Sequence, residues 1–176
     1  FSEVPIAEHL DAVRPNHRFK SVSFGGKPWD LSHLEPFAFR VDPGLGFEIT
    51  VVVSFSSHCF TKSLRRDGRT PRDIPADELF DDGREVRLLC EERLALSQRH
   101  LLPILRKLRH RKIQMAREDP QNFVTTESIR DADADLGHYV VFFVVFPDLK
   151  RRRRCLLQVQ SAYMTDLLGQ RLRGRR

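Results

Sequence analysis

The hydrophobic pattern of the chain divides it into a few firm elements and several ambiguous ones. FAFRV (37–41) alternates apolar and polar positions, and DPGLG (42–46) carries a strong turn signal. FEITVVVSF (47–55) then reads as a strand, so the three together predict a β-hairpin. HYVVFFVVF (138–146) is apolar at every position from 139 to 146, the pattern of a strand covered on both faces. After it, PDLKRRRR reads as a basic hairpin tip. CLLQVQSAY (155–163) comes next, with Cys155, Leu157 and Val159 on one face and Gln158, Gln160 and Ala162 on the other.

Helical periodicity is clearest after Ser97. Leu101, Leu105 and Leu108 fall at i, i+4 and i+7, and Leu102 and Ile104 broaden the same face. Pro103 fits only a first turn, so a regular helix is expected from about 100–102 to about 111. IAEHLDAV (6–13) predicts a short helix and NFVTTESI (122–129) a strand. EVRLLCEERLAL (85–96) is ambiguous between a strand and a helix start, and the polar stretch 63–84 reads as a long loop. The order is hairpin, helix, then meander, without βαβ alternation. It predicts an α+β fold, with a mainly antiparallel sheet of about five or six strands packed with one firm helix and one or two short helices. Residues 1–166 are expected to form a single α+β domain, and 167–176 a disordered basic tail.

Charge sharpens this picture. The net charge is +6, and three short segments (RKLRHRK at 106–112, KRRRR at 150–154 and RLRGRR at 171–176) hold fourteen of the thirty Lys and Arg. Such clustering suits a polyanion; the plainer reading is a solvated helix face, a hairpin tip and a tail. No apolar run approaches the roughly 20 residues of a membrane helix, and the amino end lacks the pattern of a secretory signal, so no membrane association and a cytoplasmic location are expected. Cys59, Cys90 and Cys155 are odd in number without CxxC spacing, which argues against a disulfide framework.

The chemistry-bearing stretch is SFSSHCFTKS (54–63). His58 and Cys59 are adjacent, but in a strand adjacent side chains point to opposite faces, so they make a poor nucleophile–base dyad. Cys59 continues the parity of Val51, Val53 and Phe55 and is expected to pack. His58 is expected at the sheet end beside Ser56, either as a general base or as an ordinary hydrogen-bonded histidine. DADADLG (131–137) has carboxylates spaced as in a calcium loop, but Leu136 and Phe142 stand where an EF-hand needs Gly and Glu, which favours a solvated turn. The seven histidines show no HxH or HExxH spacing, and no phosphate-cradling glycine motif is present, so neither a metal nor another cofactor is expected.

If the last strand neighbours the SSHCFT strand, His58 would face Arg and Tyr side chains. Such a set could cleave RNA, with Arg109, His110, Arg130, Arg154 and Tyr163 as the candidates beside His58. Arg106, Lys107, Arg111, Lys112, Lys150, Arg151, Arg152 and Arg153 are the candidates for phosphate contacts. The order from residue 97 to 165, helix then antiparallel meander with a basic tip, loosely resembles small bacterial ribonuclease toxins of the RelE and barnase-like group. No motif supports that resemblance, and no catalytic residue is transferred from it. The leading expectation is a nucleic-acid-acting protein, with RNA ahead of DNA, most concretely a metal-independent ribonuclease of toxin type. The alternatives are a non-catalytic nucleic-acid-binding module and a module whose basic face meets an acidic protein such as an antitoxin.

Overall fold

The computed structural model describes residues 2–13, 19–116, 121–129 and 137–165. Its centre is a seven-stranded mixed sheet built from β1 (Ser2–Val4), β4 (Phe37–Val41), β5 (Ile49–Phe55), β9 (Gln114–Met115), β10 (Phe123–Ile129), β11 (Gly137–Pro147) and β12 (Arg154–Thr165), in the order β1-β4-β5-β12-β11-β10-β9. The expected hairpin is β4–β5, and the expected meander is β10–β11–β12. Two small antiparallel sheets flank it. One pairs β2 (Val22–Phe24) with β3 (Lys27–Trp29); the other orders β6 (Thr61–Ser63), β8 (Val86–Leu89) and β7 (Leu79–Asp81) with β8 in the middle.

The α+β class and the mainly antiparallel sheet stand, while the strand count is corrected and one parallel pair is added. The sheet gains the short edge strands β1 and β9, and one of its pairs, β5 with β12, is parallel. That pair joins the amino-terminal hairpin to the carboxy-terminal meander. Strand polarity across such a long gap is set by tertiary packing, which no local pattern encodes.

The helical segment is longer than its leucine period implies. It opens with α1 (Glu91–Leu96), widens into a π turn over Ser97–Leu101 and continues as α2 (Leu102–Arg106), with a 3-10 turn over Leu108–His110 after it. Pro103 therefore lies well inside a helical run instead of opening one. Its ring would crowd the carbonyl four residues back and its nitrogen cannot donate, and the wide turn before it relieves both constraints. The expected leucine face does pack: Leu101, Ile104 and Leu105 are essentially inaccessible, and they share one buried cluster with Phe39, Val53, Phe55, Tyr139, Val141, Phe143 and Val159 of the sheet.

Three other expectations change. The apolar run of β11 is buried at Tyr139, Val140, Val141 and Phe143, half-buried at Phe142 and Val144, and exposed at Val145 and Phe146, so only its start is covered on both faces. The stretch 63–84 is structured, with 3-10 turns at Leu64–Arg66, Pro71–Asp73 and Ala76–Glu78 ahead of β7. Ala162 belongs to the core, because the register slips between Phe142 and Phe143: Phe142 faces Ser161, Phe143 faces Val159, and Gln160 is the extra residue. Such a bulge inverts the parity of the residues beyond it. The proposed tail lies outside the described residues, as does DADADL (131–136).

Candidate functional site

His58 sits where the parallel pair ends. Beyond Phe55 the chain leaves β5 for a 3-10 turn, Ser57–Cys59, capped by Ser56, whose side chain accepts from the His58 backbone N–H at 3.2 Å and donates to the Gln160 carbonyl at 2.5 Å. Cys59 turns inward and is fully buried, and burial pushes its thiol up to about 12. Burial thus works against a thiolate nucleophile at this position.

The residues that converge on His58 come from the β7–β8 hairpin. Its turn, Asp82-Gly83-Arg84-Glu85, needs a left-handed residue, and Gly83 supplies it at φ +81°. Asp82 Oδ1 accepts the backbone N–H groups of Arg84 and Glu85 at 2.9 and 3.0 Å, and Ser57 donates its hydroxyl to Asp82 Oδ2 at 2.9 Å. These donors outweigh the desolvation of Asp82 and hold its carboxyl below the ordinary range. Glu85 Oε1 lies 3.3 Å from His58 Nε2 and also meets Arg87 Nη1. Arg87 is buried, and its Nε donates to Thr61 Oγ1 at 2.7 Å. Burial, assisted by the Arg87 guanidinium and opposed by Glu85 and Asp82, lowers the His58 pKa below its ordinary value. His58, Asp82 and Glu85 each offer a ligand atom within 4.8 Å of the others.

Of the six residues expected to act on RNA, His58 and Tyr163 share one end of the sheet. Arg93 links them, donating to the His58 carbonyl at 3.1 Å while its guanidinium stands 5.0 Å from the Tyr163 ring centre. Arg154 pairs with Thr50 at the opposite end of β5, where it is buried with Asp11 and Asp148 on its guanidinium. Arg109 and His110 touch each other at 2.6 Å, and Arg109 lines a groove over the start of β5. Arg130 lies outside the described residues. The expected catalytic set is thus not brought together. Sequence reasoning misses Asp82, Glu85, Arg87 and Arg93; the Asp-Gly step between LF and VRLL is a hairpin signal that brings the first three to light.

The β11–β12 tip candidates lie at the end of the sheet opposite His58, whereas Arg111 bonds Thr125, Thr126 and Glu127, level with the Tyr163 end. Lys150, Arg151, Arg152 and Arg153 are exposed at the β11–β12 tip, with Leu149 almost wholly solvent-accessible among them. Arg106, Lys107 and Lys112 are exposed at or beyond the end of α2. Between the two segments runs an apolar groove of about 360 Å³ lined by Leu108, Arg109, Ile113, Phe123, Val145 and Leu157, among others. Arg106 pairs with Glu3, Arg111 with Glu127 and Arg151 with Asp11, while Arg153 stands over the Phe47 ring. Lys107, Arg109, Lys112, Lys150 and Arg152 form no ion pair with any described residue.

Among the described residues, no helix is long and apolar enough to cross a membrane. No curated protein and no solved structure gives a significant match. The model of one family, however, matches residues 21–175, most of the chain. That span takes in the His58 turn, the β7–β8 hairpin and both described basic segments, and on this match the chain belongs to the YjaZ family.

Proposed function

We propose that this protein binds single-stranded nucleic acid, RNA ahead of DNA, through its basic end and without cleaving it. The observation that carries this reading is the apolar groove bracketed by two basic segments about forty positions apart in the chain. Single strands are held by cations that follow the phosphates and by apolar or aromatic walls against which bases rest. Ile113, Phe123 and Val145 supply such a wall; Lys107, Arg109, Lys112, Lys150 and Arg152 supply cations not engaged by described carboxylates. The ribonuclease reading has less support, because Arg109, His110 and Arg154 stand at the far end of the sheet from His58.

The test is binding of a labelled single-stranded RNA across a salt series. Five phosphate contacts correspond to a slope of log K against log salt of about −3.5, at about −0.7 per contact. Lys150→Gln with Arg152→Gln should flatten the slope by about 1.4. Lys20→Gln with Lys27→Gln, an equal loss of exposed charge elsewhere, should leave the slope unchanged. No measurable affinity at low salt would refute the proposal and favour an acidic protein as the partner of this surface.

A further inference from the structure

We infer that His58, Asp82 and Glu85 form a binding site for a divalent transition-metal ion of the zinc type, at the end of the sheet opposite the basic groove. The ligand chemistry is one imidazole nitrogen and two carboxylates, a mixed set that such ions accept. Ligands at about 2.0–2.1 Å from a tetrahedral ion lie about 3.3 Å from each other. His58 Nε2 and Glu85 Oε1 stand 3.3 Å apart, the spacing required without rearrangement. Asp82 completes the set with all three donor atoms inside 4.8 Å.

The surroundings look built for ligation. Metal-binding carboxylates are ordinarily fixed by hydrogen bonds from an outer shell. Asp82 is fixed by two backbone N–H groups and by the Ser57 hydroxyl, and the buried Arg87, itself tied to Thr61, holds Glu85. A carboxylate oxygen has lone pairs for both an arginine and an ion, and Glu85 Oε2 has no partner among the described residues. Asp82 and Glu85 balance the two nearby guanidiniums, Arg87 and Arg93, so the dication meets no net positive charge. Glu85 is exposed and His58 partly so, which leaves the ion a face open to water. Three protein ligands with an open fourth position are the arrangement of catalytic zinc, whereas structural zinc is fully enclosed.

The experiment is calorimetric titration of the chelator-stripped full-length chain with zinc chloride, paired with zinc-edge X-ray absorption. One ion per chain is expected, with one imidazole and oxygen neighbours at about 2.0–2.2 Å. Ser57→Ala should weaken binding by roughly 10–100-fold, the usual cost of losing an outer-shell partner. His58→Ala and Glu85→Gln should each weaken it further than Ser57→Ala does. Glu85 is an exposed turn residue, so its substitution serves even if the His58 variant folds poorly. His138→Gln should bind as the parent does. Absence of binding, sulfur in the coordination shell, or affinity unchanged in both ligand variants would overturn the site and leave the 3.3 Å contact as a plain histidine–carboxylate hydrogen bond.

Discussion

Replacing Arg154 with methionine separates a structural role from the catalytic one its sequence position first suggests. Arg154 is 3% exposed. It donates to Asp11 Oδ1 and Oδ2 at 2.9 and 2.7 Å and to Asp148 Oδ2 at 2.5 Å. Methionine preserves most of the stem and removes every one of these bonds. Asp148, with a side chain only 6% exposed, would keep its charge without the cation beside it, whereas Asp11, at 43%, can turn to water. Breaking a buried pair costs about 3–5 kcal/mol, and the freedom of Asp11 places this case near about 3. For a chain of this size that is a fall in Tm of about 6–12 °C. Urea unfolding should show a lower midpoint with an unchanged slope.

Acid adds a second reading of the same cluster. The hydrogen bond from Arg154 holds the Asp11 carboxyl down at about 2, and Asp148 is held low by the Lys150 backbone N–H and then by Arg154. Both folded-state values are depressed, so their contribution is fully present above the ordinary carboxylate range near pH 4 and is lost as pH falls towards 2. The parent should therefore lose more stability than the Arg154→Met variant across that interval. A variant that loses under about 1 kcal/mol at pH 7, or whose acid profile runs parallel to the parent's, refutes the reasoning.

Other outcomes rest on burial alone. Tyr139 is fully buried, and its hydroxyl has no hydrogen-bond partner among the described residues, so Tyr139→Phe should be neutral or stabilising by up to about 1 kcal/mol in urea unfolding. A loss above that would reveal an ordered water on the hydroxyl. Leu101→Ala removes an inaccessible side chain from the helix–sheet contact and should cost about 2–5 kcal/mol in the same assay. Under native conditions at pH 8 a thiol reagent should modify the half-buried Cys90 and Cys155 but reach Cys59 only after unfolding. Rapid native labelling of all three thiols would contradict the burial of Cys59.

What can be read in the sequence is local. The alternation of FAFRV, the apolar ITVVVSF and the turn between them define a hairpin, and the spacing of Leu101, Leu105 and Leu108 defines a buried helical face. Strand parity also predicts Cys59 inside and His58 at the sheet end; both hold, but a 3-10 turn beyond Phe55 produces them, not strand alternation. What cannot be read depends on distant partners. Nothing near β5 or β12 states that they pair in parallel. Nothing near Gln160 says that one residue will bulge and carry Ala162 into the core. The candidate site does not assemble as expected because chemical type alone joins Arg109 and Arg154 to His58, while the sheet holds them at its other end. Asp82 and Glu85 escape notice because a polar stretch rich in Gly and Pro reads as loop, although DDG between two short apolar segments is a hairpin in miniature.

The parallel seam between β5 and β12 also bears on how the molecule reaches this state. Its partners, such as Thr50 and Arg154, are about 100 positions apart in the chain. Long-range pairings of this sort must await closure of the whole intervening chain, and they slow folding accordingly. During synthesis, at about 5–20 residues per second, β5 would spend several seconds with one edge unsatisfied before its neighbour emerged. For that interval ITVVVSF is an open apolar strand edge, the kind of surface that recruits chaperones or a second nascent chain. The vulnerable stage in the life of this protein is therefore its birth, before the last strand closes the middle of the sheet.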